Sequence, residues 1–267
     1  MTQRRVPKWL EAARTSAAAG QTTVPSDWLG RALSRAGVLP FEAAEKAVRS
    51  GRVTVDGELV RDPFWGVSST SRVVFDGAAV SLATQTIVLM LHKPVGIVTA
   101  ARDPEGNGTV FEALLRVLPV DLSSFGWHAV GRLDRHTSGL LLFTHDERFV
   151  AHATSPATQL PKRYVATVDG RITEEQISTL AAGVTLEDGP AHPASVRARS
   201  AQEIEIVLTE GRHHEVRRLL NAVRFSIRSL KREAIGTVVL DVPEGTIRRL
   251  SDSEVHEGLG FSAVPPT

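Results

Sequence analysis

Between residues 87 and 258, short apolar runs follow one another with too little chain between them for regular strand–helix–strand alternation. Ile87–Leu91, Gly96–Thr99, Trp127–Val130, Leu140–Thr144, Tyr164–Val168, Val196–Arg199 and Ile204–Leu208 all read as strands, several ended by Gly or Pro. Parallel neighbours need a crossover of a dozen or more residues, so closely spaced strands predict a mainly antiparallel mixed sheet in an α+β fold. Three stretches carry helical spacing instead: Val110–Leu118, Thr173–Ala182, and Val216, Leu219, Leu220 and Val223 at i, i+3, i+4 and i+7. No repeat of 20–50 residues is present, which excludes a solenoid.

A smaller α/β unit is expected over 25–80. Pro25-Ser26-Asp27 is a helix-start signal, Leu29, Ala32, Leu33 and Ala36 follow at helical spacing, and Gly37 stops them. A second helix fits Phe41–Arg49. Asp56-Gly57 and Asp76-Gly77 each end an alternating run and predict two-residue hairpin turns. Residues 78–86 carry no further element, with 81–86 as the linker to a catalytic domain over 87–258. A flexible leader over 1–24 and a tail over 259–267 complete the expected organisation.

The chain contains no Cys, which excludes disulfide scaffolds, thiolate zinc sites and cysteine nucleophiles. It has no run of about 18 apolar residues and no secretory signal pattern, so a soluble cytoplasmic protein without a membrane partner is expected. Net charge is only +1, but residues 212–232 hold seven basic residues against one acidic. Such a cluster is either a polyanion footprint or a solvated helix face.

Nucleotide-binding glycine loops, a Walker lysine, a zincin helix and a serine nucleophile elbow are all missing. His213-His214 would point about 100° apart on a helix and not converge on one ion, so no metal site is expected. The most informative stretch is Gly131-Arg-Leu-Asp-Arg-His-Thr-Ser-Gly139. It sets Asp134 between Arg132 and Arg135, and cationic neighbours keep a carboxylate ionised for nucleophilic or base chemistry. A carboxylate capping a tight turn, with surface arginines, is the plain structural alternative.

Residues 131–146 (GRLDRHTSGLLLFTHD) resemble the catalytic motif of the RsuA-like ribosomal RNA pseudouridine synthases. Four further segments follow that family's order. Leu91-His-Lys-Pro-Val-Gly96 resembles L-[NH]-K-P-x-G, and Lys162-Arg163-Tyr164 resembles K-x-Y. Glu210-Gly-Arg-His-His-Glu-Val-Arg217 is similar to E-G-R-x-H-Q-[VI]-[RK], and Leu230-Lys-Arg-Glu-Ala-Ile-Gly236 to L-x-R-x-x-I-G. The small unit resembles an S4 RNA-binding module through Leu33-Ser-Arg-Ala-Gly37 and Gly51-Arg-Val-Thr-Val-Asp-Gly57. Pro40-Phe41-Glu42 replaces that module's usual Ser-Arg-Arg, and Trp28 an early Arg, so weaker RNA contacts are expected there.

The resemblance implies the pseudouridine synthase fold and isomerisation of a uridine in ribosomal RNA without a cofactor. It makes Asp134 the essential carboxylate, either attacking C1′ or removing the 2′ proton. It gives Tyr164 the task of stacking on the flipped uracil and assisting loss of the C5 proton, and Arg217 that of pairing with Asp134. Candidate RNA contacts are Lys93, Arg132, Arg212, His214, Arg218, Arg228, Lys231 and Arg232, on naked RNA, a ribosomal subunit or an assembly particle. Asp103-Pro104 and Ser155-Pro156 favour the small-subunit enzymes, with a large-subunit uridine as runner-up. Glu215 stands in place of the family's Gln and Arg224 in place of a Gly, which bears on rate and substrate choice. A non-catalytic RNA-binding or ribosome-assembly protein is the reading from another class. A glycoside hydrolase would need a second placed carboxylate. A monomer is expected.

Overall fold

The computed structural model describes residues 27–68, 71–82, 86–122 and 125–262; the expected leader and the last five residues of the expected tail lie outside them. The chain divides into two compact units, one made of residues up to Gln85 together with Pro119–Trp127, the other of Thr86–Leu118 and everything from His128 onward.

In the first unit, helices α1 (Leu29–Arg35) and α2 (Phe41–Arg49) share a core with a four-stranded antiparallel sheet. Its strands β1 (Val53–Val55), β2 (Glu58–Val60), β3 (Val73–Phe75) and β4 (Ala78–Val80) lie in the order β2-β1-β3-β4. Both Asp-Gly pairs form tight turns with positive φ throughout, 52° and 91° at Asp56-Gly57 and 47° and 82° at Asp76-Gly77. That conformation lets a two-residue loop follow the twist of its strands. Pro25 and Ser26 of the helix-start signal lie outside the described residues, and Asp27–Trp28 pairs with Gly66–Val67 directly before α1. Two expectations change. Ala78–Val80 is a strand because the Asp76-Gly77 turn folds it back on β3. Pro119–Trp127 belongs to this unit, where the Phe125 ring fills the space a side chain on Gly37 would need, 2.5 Å from an ideal Cβ.

The second unit is built on a nine-stranded sheet. Its strands are β5 (Val88–Lys93), β6 (His128–Val130), β7 (Ser138–Thr144), β8 (Lys162–Val168), β11 (Ser195–Ala198), β12 (Glu203–Leu208), β13 (Ile227–Ile235), β14 (Val238–Val239) and β15 (Ile247–Arg249). The order is β11-β12-β8-β13-β7-β5-β15, with β6 on β7 and β14 on β13. Every pairing is antiparallel except β13 on β7, where Lys231 faces Ser138 and Arg232 faces Gly139. A separate ribbon joins β9 (Val184–Leu186) to β10 (Gly189–Ala191).

Helices α3 (Val110–Val117) and α5 (Glu174–Ala182) each begin with a reciprocal Thr capping box, at Thr109 with Glu112 and at Thr173 with Gln176. Helix α4 (Glu147–Thr154) follows β7 at once, capped by the fully buried Asp146. Helix α6 (Glu215–Ala222) buries Val216, Leu219 and Leu220 as its spacing predicts. Gly96–Thr99 makes only an isolated bridge, Val98 to Thr109, and no strand. Leu259 and Phe261, expected in the tail, are buried, with Phe261 edge-on to Phe149 at 5.1 Å.

Candidate active site

The loop from β6 to β7 carries Asp134, and neighbouring segments fix its backbone. Lys93, at the end of β5, is fully buried and its Nζ donates to the carbonyls of Pro94 (2.9 Å), Asp134 (3.1 Å) and Thr137 (2.9 Å). Thr99 Oγ1 donates to Leu133 O (2.8 Å) and accepts from Leu133 N (3.2 Å), while Gly96 N donates to Arg135 O (2.8 Å). Burial pushes the Lys93 ammonium down to about 8; the Asp134 charge opposes that shift and Arg232 adds to it. The loop then enters β7 at Gly139, whose backbone touches that of Arg232.

The segment before α6 approaches the same carboxylate. His214 takes a left-handed conformation (φ 52°) at the N-cap of α6 and brings Nε2 to 3.2 Å from Asp134 Oδ1. Arg217, one turn on, donates from Nη2 to His136 O (2.7 Å) and holds Nε 4.0 Å from Asp134 Oδ2. Asp134 therefore meets a two-sided arrangement of imidazole and guanidinium while its side chain stays 29% exposed. A bulky residue held in a sparsely populated backbone region is typical of sites that need a fixed geometry. The His213 and His214 rings stack at 3.8 Å between centroids instead of splaying as on a helix.

Tyr164 lies on β8 opposite Arg232 of β13, just after a shift of register between Arg163 and Tyr164. Such irregularities re-aim a side chain. Arg232 is 2% exposed; its Nε donates to Leu140 O (2.8 Å), and Nη1 lies 3.4 Å from both Arg132 O and the Tyr164 hydroxyl. Asp134, Tyr164, His214, Arg217 and Arg232 line one cleft of about 440 Å³.

In the wall of that cleft Glu215 is buried, its Oε2 accepting the Arg212 N–H at 3.0 Å. Burial pushes its carboxyl up to about 7, the neighbouring Glu210 carboxyl adds to the shift, and the Arg212 N–H works against it.

Several placements differ from the sequence reading. Arg135 does not flank the Asp134 carboxylate but pairs with Asp103 (3.0 Å) and Glu105, so the cations at Asp134 come from α6 and its approach. Lys93 and Arg232, expected to touch RNA, are buried because backbone carbonyls bind their charged groups. Part of the basic run 212–232 is matched by acidic residues outside it: Arg212 pairs with the nearby Glu210 (3.0 Å), while Arg218 pairs with Asp188 (2.7 Å) and Arg228 with Asp169, both distant in sequence. Arg132, His214 and Arg224 are exposed. The role of Thr99 was missed, since a lone Thr in a loop carries no sequence signal.

The RNA pseudouridylate synthase family model matches residues 87–222, which carry Asp134, Tyr164, His214 and Arg217, and the chain belongs to that family. It is a pseudouridine synthase. Among curated relatives, ribosomal large subunit pseudouridine synthase B of Vibrio cholerae is 35% identical over 241 residues, covering 86% of this chain and 74% of its own length. An uncharacterized RNA pseudouridine synthase of Mycobacterium tuberculosis is 36% identical, covering 86% of this chain and 91% of its own. A solved pseudouridylate synthase crystal structure superposes with a TM-score of 0.59 at 29% identity, over 88% of this chain and all of that one.

Proposed function

We propose that this chain isomerises a uridine of large-subunit ribosomal RNA, with Asp134 as the essential carboxylate. The observation that carries the reading is Asp134 standing in one cleft with Tyr164, His214 and Arg217, inside the segment matched by the family model. The Vibrio cholerae relative and a 34% identical one from Salmonella typhi are both named for the large subunit, which favours that RNA over the small-subunit reading. The segments that favoured the small subunit have structural duties here. Asp103 binds Arg135 and accepts two backbone N–H groups, and Ser155 caps the turn at Pro156–Thr158.

The chemistry follows from the residues. A uridine stacked in a duplex cannot reach Asp134, so the target is flipped or already single-stranded, at a cost of a few kcal/mol. Asp134 then attacks C1′ or takes the 2′ proton, and the N1–C1′ bond breaks on either route. Tyr164 stacks on the freed uracil and assists loss of the C5 proton after C5 has joined C1′. Arg217, tied to His136 O, faces the carboxylate and orients it. Arg132, Arg212, His214, Arg218, Arg228 and Lys231 remain the proposed RNA contacts, three of them through ion pairs that RNA phosphates would have to exchange. The first unit acts as an S4-like RNA-binding module, and the enzyme works as a cytoplasmic monomer without a cofactor.

The test is release of tritium from C5-tritiated uridine in large-subunit and small-subunit RNA, each naked and as particles. Release from large-subunit RNA alone is expected. Release from small-subunit RNA alone would overturn the substrate assignment and leave the reaction standing.

A further inference from the structure

Arg232 is a full positive charge in an unusual position. It is 2% exposed, its Nη2 has no hydrogen-bond partner, and among the described residues it forms no ion pair. Its protein partners are two backbone carbonyls and the Tyr164 hydroxyl. Two further amines lie close enough to be depressed by it, the buried Lys93 and the half-buried Lys162, and among the described residues neither is ion-paired; Lys162 Nζ donates to Leu160 O at 3.0 Å. A buried charge without a counter-ion costs several kcal/mol, and a folded chain retains one where its field is used. Among the described residues, Asp134 and Glu244 act on Lys93, and Glu215 on Lys162.

We propose that Arg232 stabilises the negative charge of the departing uracil, with Nη2–H donating to a base oxygen as the N1–C1′ bond breaks. This rests on the reading of Asp134 and Tyr164 as the reacting site. When N1–C1′ breaks, the bonding pair goes to the base. C1′ is compensated by a bond to an Asp134 oxygen or, on the other route, by loss of the 2′ hydrogen to Asp134 as a proton. The base is an anion on both routes, with its charge on the ring and carbonyl oxygens. C5 then joins C1′ as the Asp134–C1′ bond breaks or, on the other route, as C2′ takes its proton back from Asp134; C5 loses its proton and N1 gains one, so no external reactant is consumed. A phosphate is the other anion in reach of an RNA-binding protein, but Arg232 sits beside the ring of Tyr164, 6.0 Å from its centroid, where a base and not the outer backbone would enter. Fixed donors aimed at developing charge act most strongly where water is excluded.

The test is a leaving-group experiment. Large-subunit RNA is transcribed with uridine or with 5-fluorouridine, whose fluorine withdraws electrons and lets the base depart more readily. Single-turnover formation of the C-glycoside is followed by mass analysis of nuclease digests for wild type, Arg232→Met and Arg232→Lys. Arg232→Met is expected to lose roughly 100-fold in rate on uridine RNA, a typical effect of removing one charge-stabilising donor. The loss should be several-fold smaller on fluorinated RNA, and Arg232→Lys should recover part of it. Equal losses on both RNAs would overturn this role and reduce Arg232 to packing. If Arg232→Met fails to fold, the same comparison with Arg232→Lys decides. Wild type inactive on uridine RNA would instead overturn the underlying site reading.

Discussion

Gly139 and Arg232 lie backbone against backbone across the only parallel seam of the sheet among the described residues, so close that a Cβ on residue 139 would fall 2.2 Å from the Arg232 carbonyl oxygen. This close approach joins the bonds from the Arg232 guanidinium to the Leu140 and Arg132 carbonyls in fixing the catalytic loop to the strand that carries Arg232. Gly139 also holds φ at 114°, which side-chain-bearing residues rarely adopt. Gly139→Ala should destabilise the fold by about 3 kcal/mol or more, from strain and clash together. Chemical denaturation measures this, and turnover should be lost even where the variant remains folded.

Lys93 makes the loop sensitive to alkali. Its ammonium has three hydrogens for three carbonyls, and the neutral amine has only two. Burial, against the opposing Asp134 charge, lowers it to about 8, so kcat/KM is expected to fall as pH rises through that value. Stability moves the other way. The unfolded chain holds the Lys93 proton up to about 10.5, so between about 8 and 10.5 this group favours the folded state more as pH rises. A kinetic loss above pH 8 without a fall in Tm is the expected signature, and Lys93→Met should remove most activity at every pH.

Glu215 is the mirror case. Burial and the Glu210 carboxyl raise it from 4.5 to about 7. Its contribution to stability is complete below about 4.5 and is lost as pH rises to about 7. Glu215→Gln keeps the acceptor for the Arg212 N–H without the charge. At pH 8 it should raise stability by an amount of order 1–3 kcal/mol, with little effect at pH 4.5, read from thermal melts at the two pH values.

Arg217 does two things that a lysine cannot do together: Nη2 reaches His136 O while Nε faces Asp134. Arg217→Lys should lower kcat by roughly 10- to 100-fold, the worth of a charge-assisted hydrogen bond, with KM changed much less. Steady-state kinetics on the RNA substrate gives the split.

The parts of this molecule that were legible in the sequence are those where one local signal decides. The helix over Phe41–Arg49, the apolar spacing of Val216–Leu220, the helix opening at Thr173 and the two Asp-Gly turns all appear where their residues predict. Strand β13 was not legible, because Arg228, Lys231, Arg232 and Glu233 interrupt its apolar alternation. Its charges are tolerated because Arg232 is bound by carbonyls of two other segments, Leu140 and Arg132, which no local window contains. For the same reason the sequence placed Arg135 beside the Asp134 carboxylate, and only the resemblance pointed to Arg217. Arg135 is adjacent in sequence yet bonds Asp103, whereas His214 and Arg217 arrive from 80 or more residues away. The charge run 212–232 looked like an open basic face for want of its partners, Asp169 and Asp188.

The most direct test of the central claim is the Asp134 carboxylate itself. C5-tritiated large-subunit RNA is mixed with excess wild-type protein or Asp134→Asn, tritium release is followed through a single turnover, and RNA binding is measured in parallel. The amide fits the same space and keeps an oxygen, but it is a poor nucleophile and base. Release by wild type and none by Asp134→Asn, at comparable RNA affinity, is the predicted result. Release by Asp134→Asn at the wild-type rate would contradict the account.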